Sequence, residues 1–123
     1  MDGYIVRAHI AADPLSVHQR GWIGDTPMHW ASESKPDAVQ MLIDRGAQVD
    51  SRNVLETSDF HGATPLIMNA RQRDDCSEVT TVLLEAGADI HAQGAKGKTA
   101  LARALEKNLK RIPDVLRQHG ASD

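Results

Sequence analysis

The sequence predicts an all-α solenoid of about three helix-turn-helix repeats, preceded by an N-terminal half repeat and joined by hairpin-like inter-repeat loops. Three observations carry that reading. Two strings recur in fixed order. DTPMHWA at 25–31 returns as ATPLIMNA at 63–70 and KTALARAL at 98–105, while LIDRGAQV at 42–49 returns as LLEAGADI at 83–90 and LRQHGAS at 116–122. The recurring Thr residues are 38 and 35 positions apart, and each precedes its Gly-Ala pair by 20, 23 or 21 residues. A period in the thirties with two ordered landmarks means stacked supersecondary units. Finally, 41% of the residues are hydrophobic but only 3% are aromatic, so the core must be built from Leu, Ile, Val, Met and Ala. Small aliphatic side chains suit closely packed helices.

Taken in order, residues 1–24 read as a partial repeat and loop. Tyr4–Ala12 has the pattern of a second helix, Ala12-Asp13-Pro14 stands where a Gly-Ala-Asp ending belongs, and Val17 begins the next loop. The first helix of this unit is absent from the sequence, which fits either a natural half-cap at Met1 or a piece of a longer array; if Met1 is the start, Ile5, Val6 and Ile10 form an apolar edge that predicts self-association or marginal stability. Residues 25–61 form repeat one with an extended loop. Thr26 caps its first helix with Pro27 at the opening position, Pro36 starts the second helix, and Gly46 closes it.

Repeat two covers 62–96. Thr64-Pro65 opens it, Val79, Val82, Leu83 and Leu84 give the second helix its apolar face, and Gly87 ends it. The C-terminal repeat, 97–123, opens at Thr99 without a proline. Leu101, Ala104, Leu105, Leu109 and Ile112 follow at helical spacing, Pro113 is expected to start the second helix, and Gly120 closes it. Together, residues 1–123 form a single domain. About six extra residues fall within Ser51–His61, and about two lie between the helices of repeat two, around Arg73–Cys76.

These residues resemble the ankyrin-repeat family, whose unit is a turn plus two helices with the signature T-P-L-H-x-A. Thr26-Pro27-Met28-His29-Trp30-Ala31 matches it except at Leu, and Gly87-Ala88-Asp89-Ile90-His91-Ala92 is similar to the family's G-A-D-V-N-A ending. The likeness runs over about residues 5–123. It implies a non-catalytic module that binds another protein through its loop tips and the concave faces of its first helices. Two alternatives within that framework are a dedicated inhibitor or immunity protein of one enzyme, and a regulatory domain of a larger protein. Ile67 and Ala102 replace the signature His in repeats two and three, which removes its hydrogen bond to the neighbouring loop.

Several residues imitate catalytic chemistry. Ala92–Thr99 ends in Gly-Lys-Thr like a phosphate-binding loop, but Ala92 replaces the first glycine, no buried strand precedes it, and Thr99 is in repeat register. The sequence therefore gives no cofactor-binding residue and argues against nucleotide binding. His9, His18, His29, His61, His91 and His119 include no i, i+4 pair, so no metal site is predicted. Asp74-Asp75 is expected to cap the helix that follows it, and Cys76 lacks the basic setting of a nucleophile. The sequence holds no catalytic constellation.

The net charge of −3 excludes a strongly basic nucleic-acid binder, no apolar run approaches a membrane span, and a single cysteine fits a reducing, cytoplasmic setting. Residues 96–117 carry seven basic and two acidic side chains, with Arg103, Lys107 and Arg111 read as one stripe opposite Leu101, Leu105 and Leu109. The stripe reads as a solvated outer face or a docking patch for an acidic partner. With so few rings in the chain, Trp22 and Phe60 in loops and Trp30 in a first helix are candidate contacts. Arg52, Arg71 and Gln72 are their polar neighbours, and Lys98, Arg103 and Lys107 complete the predicted partner-binding set.

Overall fold

A computed structural model describes residues 27–53 and 62–121. They form six α-helices: α1 (Pro27–Ala31), α2 (Pro36–Asp44), α3 (Pro65–Ala70), α4 (Ser77–Glu85), α5 (Ala100–Glu106) and α6 (Arg111–Gln118), with a 3-10 turn at Ala95–Gly97. No β-strand occurs among the described residues. The half repeat at 1–24, its apolar edge at Ile5, Val6 and Ile10, Thr26, Trp22 and Phe60 all lie outside them.

Local signals set the helix ends as expected. The Thr64 hydroxyl accepts from the Ile67 amide at 3.3 Å and the Thr99 hydroxyl from Ala102 at 3.2 Å, each satisfying a leading N–H of its helix. Pro36 and Pro65 occupy the opening turn, where the missing donor is no loss. Gly46, Gly87 and Gly120 stand just past α2, α4 and α6 at φ values of 88°, 96° and 102°. Each donates three residues back, and the following alanine donates five back: Ala47 to Leu42, Ala88 to Leu83 and Ala121 to Leu116, at 2.9–3.0 Å. This left-handed closure pairs carbonyls that the helix leaves orphaned and turns the alanine towards the core.

The third repeat corrects one expectation. The apolar spacing from Leu101 to Ile112 is not a single helical face, because α5 ends at Glu106 and α6 begins at Arg111. Asn108 takes φ 59° and closes α5 as the glycines close the other helices, with Asn108 donating to Leu105 and Leu109 to Ala104. Leu109 is thereby folded into the core at 8% exposure, while Leu105 is left 40% exposed. Arg111 opens a different helix from Arg103, so the basic stripe does not exist. Pro113 is the third residue of α6 rather than its first.

The helices stack in two layers. α1, α3 and α5 pack side by side, α2, α4 and α6 form the second layer, and each first helix packs on its own second helix. The shared core takes Met28, Leu66 and Leu101 from the first layer and Leu42, Leu83, Ile112 and Leu116 from the second. After Gly46-Ala47 and after Gly87-Ala88 the chain runs into a hairpin-like loop. Asn53 donates to Ala63 and accepts from Gly62, and Gly94 donates to Lys98.

Among the described residues, repeat two alone carries a buried polar pair between its helices. The Thr80 hydroxyl donates to the Asn69 side-chain oxygen, and the Asn69 amide donates to the Cys76 carbonyl at 3.2 Å, with both side chains fully buried. Aligned on Thr and Gly, the other repeats place Ala31 and Val39, or Ala104 and Pro113, at these positions. The pair therefore anchors the lengthened turn that only repeat two possesses.

Two outcomes are expected in urea unfolding. Gly87→Ala meets no atom within 4 Å, so its effect is conformational: about 1–2 kcal/mol lost, with an unchanged m value. Asn69→Ala and Thr80→Val should each lower stability by about 1–3 kcal/mol, because each strands a buried partner. The double variant should lose at least ~1 kcal/mol less than the two single losses together; strict additivity would show the pair to be uncoupled.

Candidate functional site

Each of the two described hairpin loops is tied to the first helix of the repeat before it, by a polar or an apolar contact. In repeat one, fully buried His29 reaches the following loop, where Nε2 donates to the Ala63 carbonyl at 2.8 Å. A carbonyl only accepts, so this nitrogen carries the proton. In repeat two, the equivalent Ile67 is buried at 2% exposure and presses towards Gly94, where an added Cβ would meet Ile67 Cδ1 at 3.3 Å. The absent hydrogen bond is thus replaced by packing against a residue without a side chain. Ala102 of repeat three remains partly exposed.

Two further side chains join successive loops. Arg52 is exposed, yet one guanidinium nitrogen donates both to the Gly62 carbonyl at 2.9 Å and to the Gln93 carbonyl at 2.7 Å. The Asp50 carboxylate accepts from the Asp89 amide at 3.0 Å, and Asp89 in turn accepts from the His91 amide at 2.9 Å. Asp50 is a residue that sequence reasoning missed. Its 39-residue spacing from Asp89, one repeat on, is the available signal.

The remaining candidates sit on the first-helix layer. Trp30 is half-buried between His29 and Ala31, which are both buried. Met68 and Arg103 occupy the same position of α3 and α5. Arg71 and Gln72 lie at the C-terminal end of α3, where Gln72 Nε2 donates to the Met68 carbonyl at 3.3 Å. Lys107, exposed, stands at the matching end of α5. The Arg103 side chain is only 13% exposed; it donates to the Ala95 carbonyl at 3.0 Å and pairs with Glu106 at 3.4 Å. Lys98 pairs with the other oxygen of Glu106. The structure thus brings Trp30, Arg71, Gln72, Arg103 and Lys107 to one layer, and Arg52 and Lys98 to the loops beside it.

Residues resembling a phosphate loop are differently employed. The Gly97 and Lys98 amides donate to the carbonyls of Gly94 and Ala95, and the ammonium of Lys98 faces Glu106. Cys76 is half-buried and its thiol donates to Glu78 at 3.4 Å. Burial, aided by the neighbouring carboxylate, pushes the thiol pKa up, which opposes thiolate chemistry. Among the described residues no group of three His, Cys, Asp or Glu side chains is arranged to hold a metal ion.

Asp75 overturns the expectation that it caps the helix following it. Its carboxylate lies against α6 of the next repeat, accepting from the amides of Lys110 at 3.1 Å, Arg111 at 2.8 Å and Ile112 at 2.9 Å. α4 has no side-chain cap. Partial burial opposes ionisation of Asp75, but the three amides and Arg111 outweigh it and hold the carboxyl below its ordinary pKa. The contact brings Asp75 to the basic segment around Lys110 and Arg111, and Glu78 also feels Arg111, so part of the charge excess counted along the sequence is offset in space.

Comparison with known proteins places the same pattern in a wider group. The ankyrin repeat model matches residues 23–54 and 61–95. The B-cell lymphoma 3 protein homolog of Mus musculus is 33% identical over 115 residues, covering 90% of this chain and 24% of that protein. Protein fem-1 homolog A of Bos taurus is 33% identical over 109 residues, 77% of this chain and 16% of its own length. A probable E3 ubiquitin-protein ligase XBOS34 of Oryza sativa subsp. japonica is 40% identical over 88 residues, 70% of this chain and 16% of its own length. The chain therefore spans a quarter or less of these relatives. With Thr caps, closing glycines and the His29 tie in the order of the matched repeats, the chain belongs to the ankyrin-repeat family.

Proposed function

We propose that this chain is a non-catalytic protein–protein interaction module that binds its partner across the first-helix layer and the adjoining loops. Ankyrin repeats are protein–protein interaction modules, and the relatives matched here carry the same repeat. The observation that favours this surface is the locking of successive loops by Arg52 and Asp50. A surface held in one arrangement loses little conformational entropy when a partner docks. Trp30 is the aromatic anchor of that surface, with Arg52, Arg71, Gln72, Lys98, Arg103 and Lys107 around it; Trp22 and Phe60 extend the set from positions outside the described residues. The domain is read as one unit, 1–123, divided into a partial repeat at 1–24 and repeats at 25–61, 62–96 and 97–123. A cytoplasmic setting fits the single cysteine, and no helix among the described residues is long and apolar enough to cross a membrane.

A partner recovered by affinity purification and mass spectrometry provides the test. Trp30→Ala should weaken its binding by about 2 kcal/mol or more, roughly thirtyfold, while Gln118→Ala on the exposed second-helix layer should leave affinity unchanged. A lowered thermal midpoint with unchanged affinity in Trp30→Ala would make the ring structural and move the binding surface elsewhere. ATP titrated calorimetrically against the wild type should give no isotherm in the micromolar range. A binding curve abolished by Lys98→Ala would restore the phosphate-loop reading.

A further inference from the structure

The start of α6 has an unusual donor account. A helix leaves its first four N–H groups without partners inside the helix. Here those positions are Lys110, Arg111, Ile112 and residue 113. The first three donate to Asp75, 35–37 residues earlier, and the fourth is Pro113, which has no N–H. Lys110 itself makes no side-chain cap. Every leading donor of α6 is thus supplied by the preceding repeat or removed by proline, and none is satisfied within the third repeat. Asp75 holds this position at φ 50°, in the left-handed region that non-glycine residues rarely occupy, within the turn lengthened only in repeat two.

We propose that Asp75 is an inter-repeat latch: while ionised it fastens the start of α6 to the turn of repeat two, and once protonated it lets α5 and α6 open together ahead of the rest of the stack. In a repeat stack each unit relies on its neighbour, so the opening unit is the helix pair that Asp75 fastens, whose other support among the described residues is the packing of α3 on α5 and α4 on α6. The charged and titratable groups beside the latch are Arg111, Lys110 and Asp114 at the start of α6, Glu78 and Cys76 at the start of α4, and Arg73 and Asp74 in its own turn. Arg111 favours the ionised form of both Asp75 and Glu78. Because the folded carboxyl titrates below its unfolded value, the latch contributes stability above the ordinary carboxylate range and loses it as pH falls through the folded value. The acid side of pH 4 is therefore the window in which it releases.

Native-state hydrogen exchange, corrected for intrinsic rates, reads the latch helix by helix. In the wild type, protection of α6 should hold down to about pH 4 and fall progressively as the pH is taken below it, while that of α3 and α4 changes less. Asp75→Asn keeps the shape but removes the charge and one acceptor oxygen; at pH 7 it should speed exchange in α6 by at least about tenfold and flatten its acid dependence. Wild-type protection of α6 in that variant would overturn the latch. So would equal loss across α3, α4 and α6, which would make Asp75 a source of general stability. Acid dependence of α6 surviving in Asp75→Asn would assign it to Asp114 or Glu78 instead. The wild-type pH series needs no variant, and uniform acid response of all helices in it would refute the proposal by itself.

Discussion

Short helices have many loose ends, and satisfying those ends is the constraint on which the rest of this structure depends. The six helices run from five to nine residues, so the four leading N–H groups and four trailing carbonyls of each make up most of its backbone. A buried polar group without a partner costs about 1–3 kcal/mol, so a fold of this kind is stable only when nearly every end is closed. Thr64, Thr99 and the prolines close the starts, and the left-handed residues Gly46, Gly87, Asn108 and Gly120 close the finishes. The start of α6 is closed from another repeat, by Asp75.

That borrowing is what converts separate helix pairs into one object. His29, Arg52, Asp50 and Asp75 each reach backbone groups in the neighbouring unit, the imidazole and the guanidinium donating to carbonyls and the two carboxylates accepting from amides. Where repeat two lacks the signature histidine, Ile67 against Gly94 provides the contact by packing instead. Buried Asn69 and Thr80 act within one repeat and solve a separate problem, the anchoring of a longer turn. The core between the layers is small and aliphatic, so close approach of the helices contributes as much as side-chain volume.

The same ties bear on recognition. Arg52 and Arg103 look like available charges in sequence, yet both guanidinium groups hold loop carbonyls in place. Their contribution to a partner would come through the shape they maintain as well as through contact. Lys98 and Glu106 neutralise one another, leaving Trp30 and Lys107 as the candidates least taken up by the fold.

The sequence by itself determined the repeat, its period, the capping threonines, the opening prolines and the closing glycines. Each of these acts on backbone groups within about five residues, so its effect is written in local order. It also carried the family, because the landmarks recur in one order. Only the tertiary structure decided where α5 ends, since apolar spacing continues across Asn108 although the backbone turns there. Only the stacking of repeats decided that Asp75 serves α6 rather than α4, that Arg52 spans two loops, and that acids from repeat two offset the basic segment of repeat three. Those partners lie 35 to 41 residues apart, and their meeting depends on which turns are brought side by side, a relation that no local pattern encodes.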